Sequence, residues 1–359
     1  MLSRLWITAV TLAVVTLPAS TATAATEGVT DPHCQQQYVG VSLSPGQPAS
    51  SSISGWLCWR GSLEGKTVQF LQHGATYDHN YWDWPKRRYT NSYVWTATLS
   101  GYATFNIDRL GVGLSGHPTN PDDISVSSES FVAHQLVTAL KRGDVGGTRF
   151  AKVISVGFSL GSGIAIAEAS TYADVDGLIL TGMLHVQSAG LASFLGSVYP
   201  ATQDAKFAGS GLASGYITTM PGTRGMLFYK LDNADSAVVG ADEELKETAT
   251  VAEAISLADA LNPSVSLALR VPVLVLVGQN DFLFCDESAG LSCANAAAVR
   301  SREEGYYPPQ TCLEISVLRD SGHSTALHRN AFQSFATMLQ WSSRRIGEGP
   351  TMPVQPCPS

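Results

Sequence analysis

Short apolar, β-branched runs recur along this chain, separated by glycine-rich turns and by stretches with helical spacing. Tyr38 to Leu43 and Gly55 to Trp59 read as an antiparallel strand pair joined by a Ser/Pro/Gly-rich loop. Thr67-Val68-Gln69-Phe70-Leu71 reads as a third strand and ends abruptly in His73-Gly74. Ala103 to Ile107 is a fourth, running into Asp108-Arg109-Leu110-Gly111-Val112-Gly113-Leu114-Ser115. Val132, Leu136 and Leu140 share one face of a helix predicted from Ser128 to Lys141, with a stop at Arg142-Gly143. Further strands are predicted at Lys152 to Val156, Gly177 to Leu180, Val271 to Val277 and Leu313 to Leu318, and a last helix from Asn330 to Trp341. Strands alternating with helices predict an α/β fold, a mostly parallel sheet with helices on both faces.

One interval breaks that rhythm. Between His185 and Pro272 no strand stands out; the residues are rich in Gly, Ala and Ser, with one strong helical segment from Glu243 to Leu261. An insertion of that length is too long for a bare loop and is expected to form a small helical cap. The expected organisation is a core over 26–185, the cap over 186–269, the rest of the core over 270–345, and an irregular tail over 346–359. No internal repeat is visible.

The first 25 residues read differently. Arg4 gives a basic start, Leu5 to Leu17 carries no charge, and Ala22-Thr23-Ala24 matches a small-residue cleavage pattern. A signal peptide cut near Ala24-Ala25, and hence a secreted protein, is expected; the apolar run is too short to span a membrane comfortably. Its removal takes one arginine and no acid, moving the formal charge from −8 to −9. An acidic chain without a basic cluster is a poor partner for nucleic acid or for anionic membrane surfaces. No second run approaches membrane-spanning length, so no stable membrane insertion is expected, and the oligomeric state is not legible.

All six cysteines, Cys34, Cys58, Cys285, Cys293, Cys312 and Cys357, follow the leader. An even count in an exported chain favours disulfides. Cys34 and Cys58 flank the first strand pair and are expected to bond to each other. Zinc is disfavoured, because there is no Cys-x-x-Cys pair.

The chemistry centres on Gly157-Phe158-Ser159-Leu160-Gly161, which lies between a predicted strand and a small-residue helix. Strand, sharp turn and helix make this a nucleophile elbow, with Ser159 thrust above the sheet. Asp281 follows the Val271 strand and His323 follows the Leu313 strand, both at carboxyl ends, where reactive groups gather in open α/β sheets. His323 is the candidate base and Asp281 the group that holds its tautomer. The expected oxyanion donors are the N–H of Leu160 and that of Ala75, with Thr76 as the alternative. Neither a cofactor nor a metal is called for.

Other residues compete for these roles. Asp286 and Glu287 are rival acids, and His328 is a rival base that lacks the Gly-His turn. His73 is read as a structural residue of the oxyanion turn, and Asp108 and Arg109 as loop braces. Tyr77 and Trp82, in an aromatic-rich segment ending at Trp84-Pro85, are candidate pocket walls, as is His185; burial against the sheet is the competing reading for Trp82, Trp84 and His185. Asp78 and His79 are dismissed as metal ligands, since no partnering cluster is expected nearby.

Taken together, His73-Gly74, Asp108-x-x-Gly111-x-Gly113-x-Ser115, the elbow, Gly278-x-x-Asp281 and Gly322-His323 resemble the α/β-hydrolase superfamily, in particular its secreted, capped esterase/lipase-like members. The resemblance spans Thr67 to Ser324. It implies the α/β-hydrolase fold with an inserted cap, a Ser-Asp-His order along the chain and serine-dependent hydrolysis; the apolar, glycine-rich cap points to a small or medium-sized apolar ester or lactone as substrate. Serine at the elbow departs from dehalogenases and epoxide hydrolases of this fold, which carry aspartate there. A single His73-Gly74 departs from the glycine-rich oxyanion turn of hormone-sensitive-lipase-like esterases. Acyl transfer or thioester cleavage on the same triad, or a non-catalytic binding protein of this fold, are the alternatives.

Overall fold

Eight strands form one sheet in the order β1-β2-β4-β3-β5-β6-β10-β11 in this computed structural model, which describes residues 30–351 and Gln355. The expected leader lies outside the described residues. The described residues from Pro32 onward form one contact unit. Along the chain come β1 (His33–Val41), β2 (Ser51–Trp59), β3 (Val68–Gln72), α1 (Arg88–Asn91), α2 (Tyr93–Leu99) and β4 (Ala103–Ile107). Next are α3 (Val126–Arg142), β5 (Val153–Phe158), α4 (Leu160–Tyr172) and β6 (Gly177–Thr181). β1 and β4 pair antiparallel with β2, and every other neighbouring pair in this sheet is parallel. This is the mostly parallel α/β architecture expected.

The central strands β3 to β6 are buried along their whole length, the pattern of a parallel sheet covered on both faces. α3 and α4 pack together as one cover, and α2 and α11 (Ala331–Arg345) as another. α3 starts at a reciprocal Ser125/Ser128 cap and stops at Gly143, whose φ of 86° is left-handed. β1 begins five residues before the predicted strand. Its run Cys34-Gln35-Gln36-Gln37 lies on an exposed edge, so apolar alternation does not mark it. Cys34 sits directly opposite Cys58 in the β1–β2 register, and the two form the expected disulfide.

Between β6 and β10 (Val273–Gly278) the structure corrects the sequence reading. Helices α5 (Gly190–Leu195), α6 (Arg224–Phe228), α7 (Ser236–Leu245), α8 (Val251–Ala260) and α9 (Pro263–Ser266) are joined by β7 (Val198–Pro200), β8 (Tyr216–Thr219) and β9 (Ala249–Thr250), which form a separate antiparallel sheet. The single helix expected from Glu243 to Leu261 is therefore broken. After Leu245 the chain extends, Ala249 and Thr250 pair with β8, and Thr250 starts a new helix by capping it with Glu253. Threonine hydroxyls favour such a cap over helix interior. α8 packs on α3 and α4, anchoring the insertion to the core.

The chain closes with α10 (Ala296–Glu303), β11 (Glu314–Leu318) and α11. Cys285 and Cys293 are bonded across the segment that follows Asp281, and Cys312 is also disulfide-bonded. Cys357 lies outside the described residues. The described part of the tail is irregular, and Thr67 pins it by donating from N to Glu348 O (2.7 Å) and from Oγ1 to Gly347 O (2.7 Å). Among the described residues no helix is long and apolar enough to cross a membrane.

Candidate active site

The elbow has the backbone its sequence calls for. Ser159 follows β5 directly, with φ 51° and ψ −118°, a conformation that L-residues rarely adopt. A Cβ at Gly161 would lie 2.5 Å from Gln72 O and 2.6 Å from His73 O, so only glycine lets α4 start this close to the end of β3. Behind the turn, Ser159 N donates to Thr181 O (2.8 Å), and Ser162 Oγ donates to the same carbonyl (3.0 Å) while accepting from Thr181 N (3.1 Å). The side chain of Ser159 is thereby fixed at the N-terminus of α4.

Asp281 and His323 come from the ends of β10 and β11, two neighbouring strands. Their loops are laced together: Asn280 N donates to Ser321 O (2.8 Å), and Gln279 N to Leu318 O (2.8 Å). His323 Nδ1 lies 2.9 Å from Asp281 Oδ2, and Asp281 Oδ1 accepts from Leu283 N (3.0 Å). Asp281 is fully buried, and His323 is wedged among Phe158, Phe228 and Phe284, at centroid distances of 4.9, 5.7 and 5.9 Å. Ser159 and His323 line one cavity of about 160 Å³.

That cavity is mostly apolar. Ala75, Tyr77, Phe158 and Leu160 line it from the core, and Phe194, Ile217, Phe228, Ala254 and Leu257 from the insertion. Glu253 is the acid on its wall. The insertion residues were missed in sequence, because their small and aliphatic types carry no chemical signature. Glu253 did carry one, the Thr250-x-x-Glu253 spacing of a capping box.

Residues of the turn after β3 divide between the cavity and its support. Ala75 lines the cavity, whereas Thr76 (φ 60°) is held away by Arg224, whose Nη1 donates to Thr76 O (3.2 Å) and Oγ1 (2.9 Å). Tyr77 lines the cavity and donates to Asp242 Oδ2 (3.1 Å), with Ser324 Oγ 2.8 Å from the same hydroxyl. Asp242 also accepts from Arg224 Nη2 (2.8 Å) and Tyr229 OH (2.9 Å). A buried ion pair from the insertion thus braces the turn beside Ala75 and the residue after His323.

His73 is a brace, as expected. Its Nε2 accepts from Arg109 N (3.0 Å), so Nδ1 carries the proton and donates to Gly74 O (2.9 Å). Burial, with Arg109 nearby, holds its pKa well below the usual histidine value. Arg109 Nη1 meets Glu129 (2.6 Å) and Glu253 (2.5 Å), all three buried. Burial pushes the Glu129 carboxyl well above the carboxylate range against the pull of Arg109, and the neighbouring Glu253 adds to the rise. Asp108 accepts from His79 N (3.0 Å) and Leu114 N (2.9 Å), bracing its own loop.

The rival residues are engaged elsewhere. Asp286 Oδ1 caps a turn through Ser288 N and Ala289 N, and Glu287 accepts from Cys293 N (3.1 Å). His328 Nε2 accepts from Lys230 N (2.9 Å) and Gly322 N (3.0 Å), and burial pulls its pKa down to about 4. Two pocket candidates do not line the cavity. Trp82 is buried in the core against Tyr81 and Tyr93. His185 is clamped between Glu303 Oε2 (2.7 Å) and Ser266 Oγ (2.7 Å) and stacked on Tyr306. Contrary to the sequence expectation, Asp78 and His79 do have a partner, because Asp108 stands with them in a group whose ligand atoms lie within 4.8 Å. Every carboxylate oxygen in that group already accepts a hydrogen bond, from Asn80, His79 or Leu114.

A model of the alpha/beta hydrolase family matches residues 70–336. The chain belongs to the α/β-hydrolase family. Among solved structures it is similar to a soluble variant of monoglyceride lipase from Saccharomyces cerevisiae, with 16% identity, coverage of 87% of this chain and 95% of that one, and a TM-score of 0.59. It is also similar to 2-hydroxy-6-oxo-6-phenylhexa-2,4-dienoate hydrolase from Rhodococcus sp. strain RHA1 (16% identity, 86% and 98% covered, TM-score 0.55). An esterase from Exiguobacterium antarcticum is a third (16% identity, 81% and 95% covered, TM-score 0.52). At these identities the likeness is one of fold. A comparison with curated proteins gives no match.

Proposed function

We propose that this α/β-hydrolase is a serine carboxyl-ester hydrolase, acting through Ser159, His323 and Asp281 on small or medium-sized apolar esters or lactones. One observation carries the reading: Ser159, in its strained elbow, and His323, backed by Asp281 at 2.9 Å, open on the same apolar cavity. A serine hydroxyl is a poor nucleophile until a neighbouring base takes its proton. His323 Nε2 takes it, while Nδ1–H donates to Asp281 Oδ2, which fixes the tautomer and stabilises the imidazolium as it forms. The N–H groups of Leu160 and Ala75 receive the oxyanion, supported by the N-terminus of α4. His323 then protonates the leaving alcohol, and water activated by the same imidazole releases the acid from the acyl-enzyme.

The segment 186–269 serves as a cap in this reading, since it supplies the far wall of the cavity. The aliphatic and aromatic lining favours an apolar acyl or alcohol group. Disulfides favour an oxidising compartment, in keeping with export.

A fluorophosphonate probe followed by mass spectrometry of the labelled peptide tests the assignment, and Ser159 is the residue expected to be modified. Ser159→Ala should lower kcat toward simple esters by roughly 10⁶. Labelling at another residue, or retention of most activity in the variant, overturns it.

A further inference from the structure

Toward the end of α4 away from Ser159, one buried acid has no hydrogen-bond donor among the described residues. Glu168 is 0% exposed, and among the described residues neither of its carboxylate oxygens meets an N–H or O–H donor; what faces it is a second acid, the carboxyl of Asp174. Buried polar atoms are nearly always partnered, and an unpaired carboxylate is the costliest exception. Beside it stand His134 on α3 and Asp174, just past the end of α4; Asp174 Oδ1 is also unpartnered. One ligand atom from each of the three lies within 4.8 Å of the others.

We propose that His134, Glu168 and Asp174 bind a divalent transition cation of the Zn²⁺ type. One imidazole and two carboxylates form a nitrogen–oxygen set that suits zinc and its neighbours, whereas Ca²⁺ and Mg²⁺ prefer oxygen alone. Metal–ligand bonds to a Zn²⁺-type ion run about 2.0–2.2 Å. At a tetrahedral angle the ligand atoms of one ion stand only about 3.4 Å apart, so the widest pair here closes by up to roughly 1.4 Å, a side-chain rotation of His134 or Asp174 at the partly exposed end of the site. The His134 and Asp174 side chains are 30% and 20% exposed, which leaves an entry path and room for water at the remaining positions.

The surroundings hold the ligands in place. Tyr172 stacks on the His134 ring at 4.0 Å and 11° between planes. Ala173, at φ 51°, turns the chain so that Asp174 returns toward α3. The nearby Lys141 ammonium is directed to Asp176, at 3.6 Å. The Asp78, His79 and Asp108 group offers the contrast, since its carboxylate oxygens are all satisfied by protein donors. α4 has 13 residues, which puts this end roughly 20 Å from Ser159, so the ion clamps α3 to α4 and takes no part in the reaction.

The test uses the purified full chain, treated with EDTA and dialysed, then titrated with ZnCl₂ by calorimetry and followed by thermal melting. The expected result is one ion per chain and a Tm raised by about 5 °C at a hundredfold excess over Kd. Glu168→Gln and His134→Gln should each weaken binding at least tenfold and remove most of the Tm rise. Should Glu168→Gln fail to fold, His134→Gln, altered on a partly exposed side chain, carries the comparison. Absence of heat and of a Tm shift in the unaltered protein overturns the proposal, as does equal binding by the variants.

Discussion

His73, His323 and His328 are all buried, and what their ring nitrogens meet decides what each can do. His323 offers one nitrogen to Asp281 and lines the cavity, the arrangement that the proposed reaction requires of its base. His73 and His328 each use one ring nitrogen to accept a backbone N–H, which requires a neutral ring. Burial accordingly depresses both, His328 to about 4. In the unfolded chain a histidine binds its proton near pH 6.5, so the unfolded state holds more protons than the folded state between those values. Stability from this source is fully present above pH 6.5 and is lost as the pH falls toward 4. At about 1.4 kcal/mol per pKa unit, His328 alone contributes about 3 kcal/mol to that loss. Urea unfolding at successive pH values should show the decline, and His328→Asn should be less stable at pH 7 yet show a shallower decline. Parallel slopes for the two proteins would contradict it.

At the scale of single elements, the start of α8 shows how local chemistry shapes the cavity. Thr250 Oγ1 accepts from Glu253 N (3.1 Å) and donates to Ile124 O (3.0 Å), while Glu253 Oε2 accepts from Thr250 N (2.6 Å). The helix so begun brings Glu253, Ala254 and Leu257 to the cavity wall. Thr250→Ala should cost about 1–2 kcal/mol, as lost N-caps do, and Thr250→Ser should recover most of it. Because α8 forms wall and supplies none of the reacting groups, KM for an apolar ester should rise more than kcat falls. An unchanged KM with a large loss of kcat would mean that α8 does more than shape the cavity. The same helix shows where reading the sequence stops. β5, the elbow and α4 are legible because glycine spacing, a buried strand and small residues all agree there. The break before α8 is harder to see, since Lys246 and Glu247 suit a helix and the Thr250-x-x-Glu253 cap is the one local sign that a new helix starts, while the extension itself comes from pairing with β8. For Trp82, in the aromatic segment beside the oxyanion turn, and His185, at a strand end, the sequence leaves pocket wall and buried core residue both open. Which way they face was settled by Tyr93 and Glu303, contacts that no local pattern reveals.

Across the whole molecule, the links between insertion and core are charged and buried. Arg109 joins the turn after β4 to Glu129 on α3 and Glu253 on α8, and Arg224 joins α6 to Asp242 on α7 and to Thr76 beside the candidate oxyanion turn. A buried pair costs much to desolvate, so it adds little net stability compared with an apolar replacement, but removing one partner leaves the other charge stranded. Arg224 and Asp242, both in the insertion, are 0% and 1% exposed, whereas the Lys86–Glu244 pair, which joins core to insertion, is 57% and 73% exposed. Solvent screening makes the exposed pair worth little. Arg224→Met should therefore destabilise the protein by about 3–5 kcal/mol, while Lys86→Ala should stay within about 0.5 kcal/mol. Arg224→Met should also impair ester hydrolysis at temperatures well below its own Tm, because Thr76, the neighbour of Ala75, loses both hydrogen bonds that Arg224 gives it. Denaturant unfolding of the two variants, with activity measured on the folded fraction, decides the point. Similar small losses in both would show that the insertion is held on by its apolar contacts alone, and that the Arg224 pair is incidental to the shape of the site.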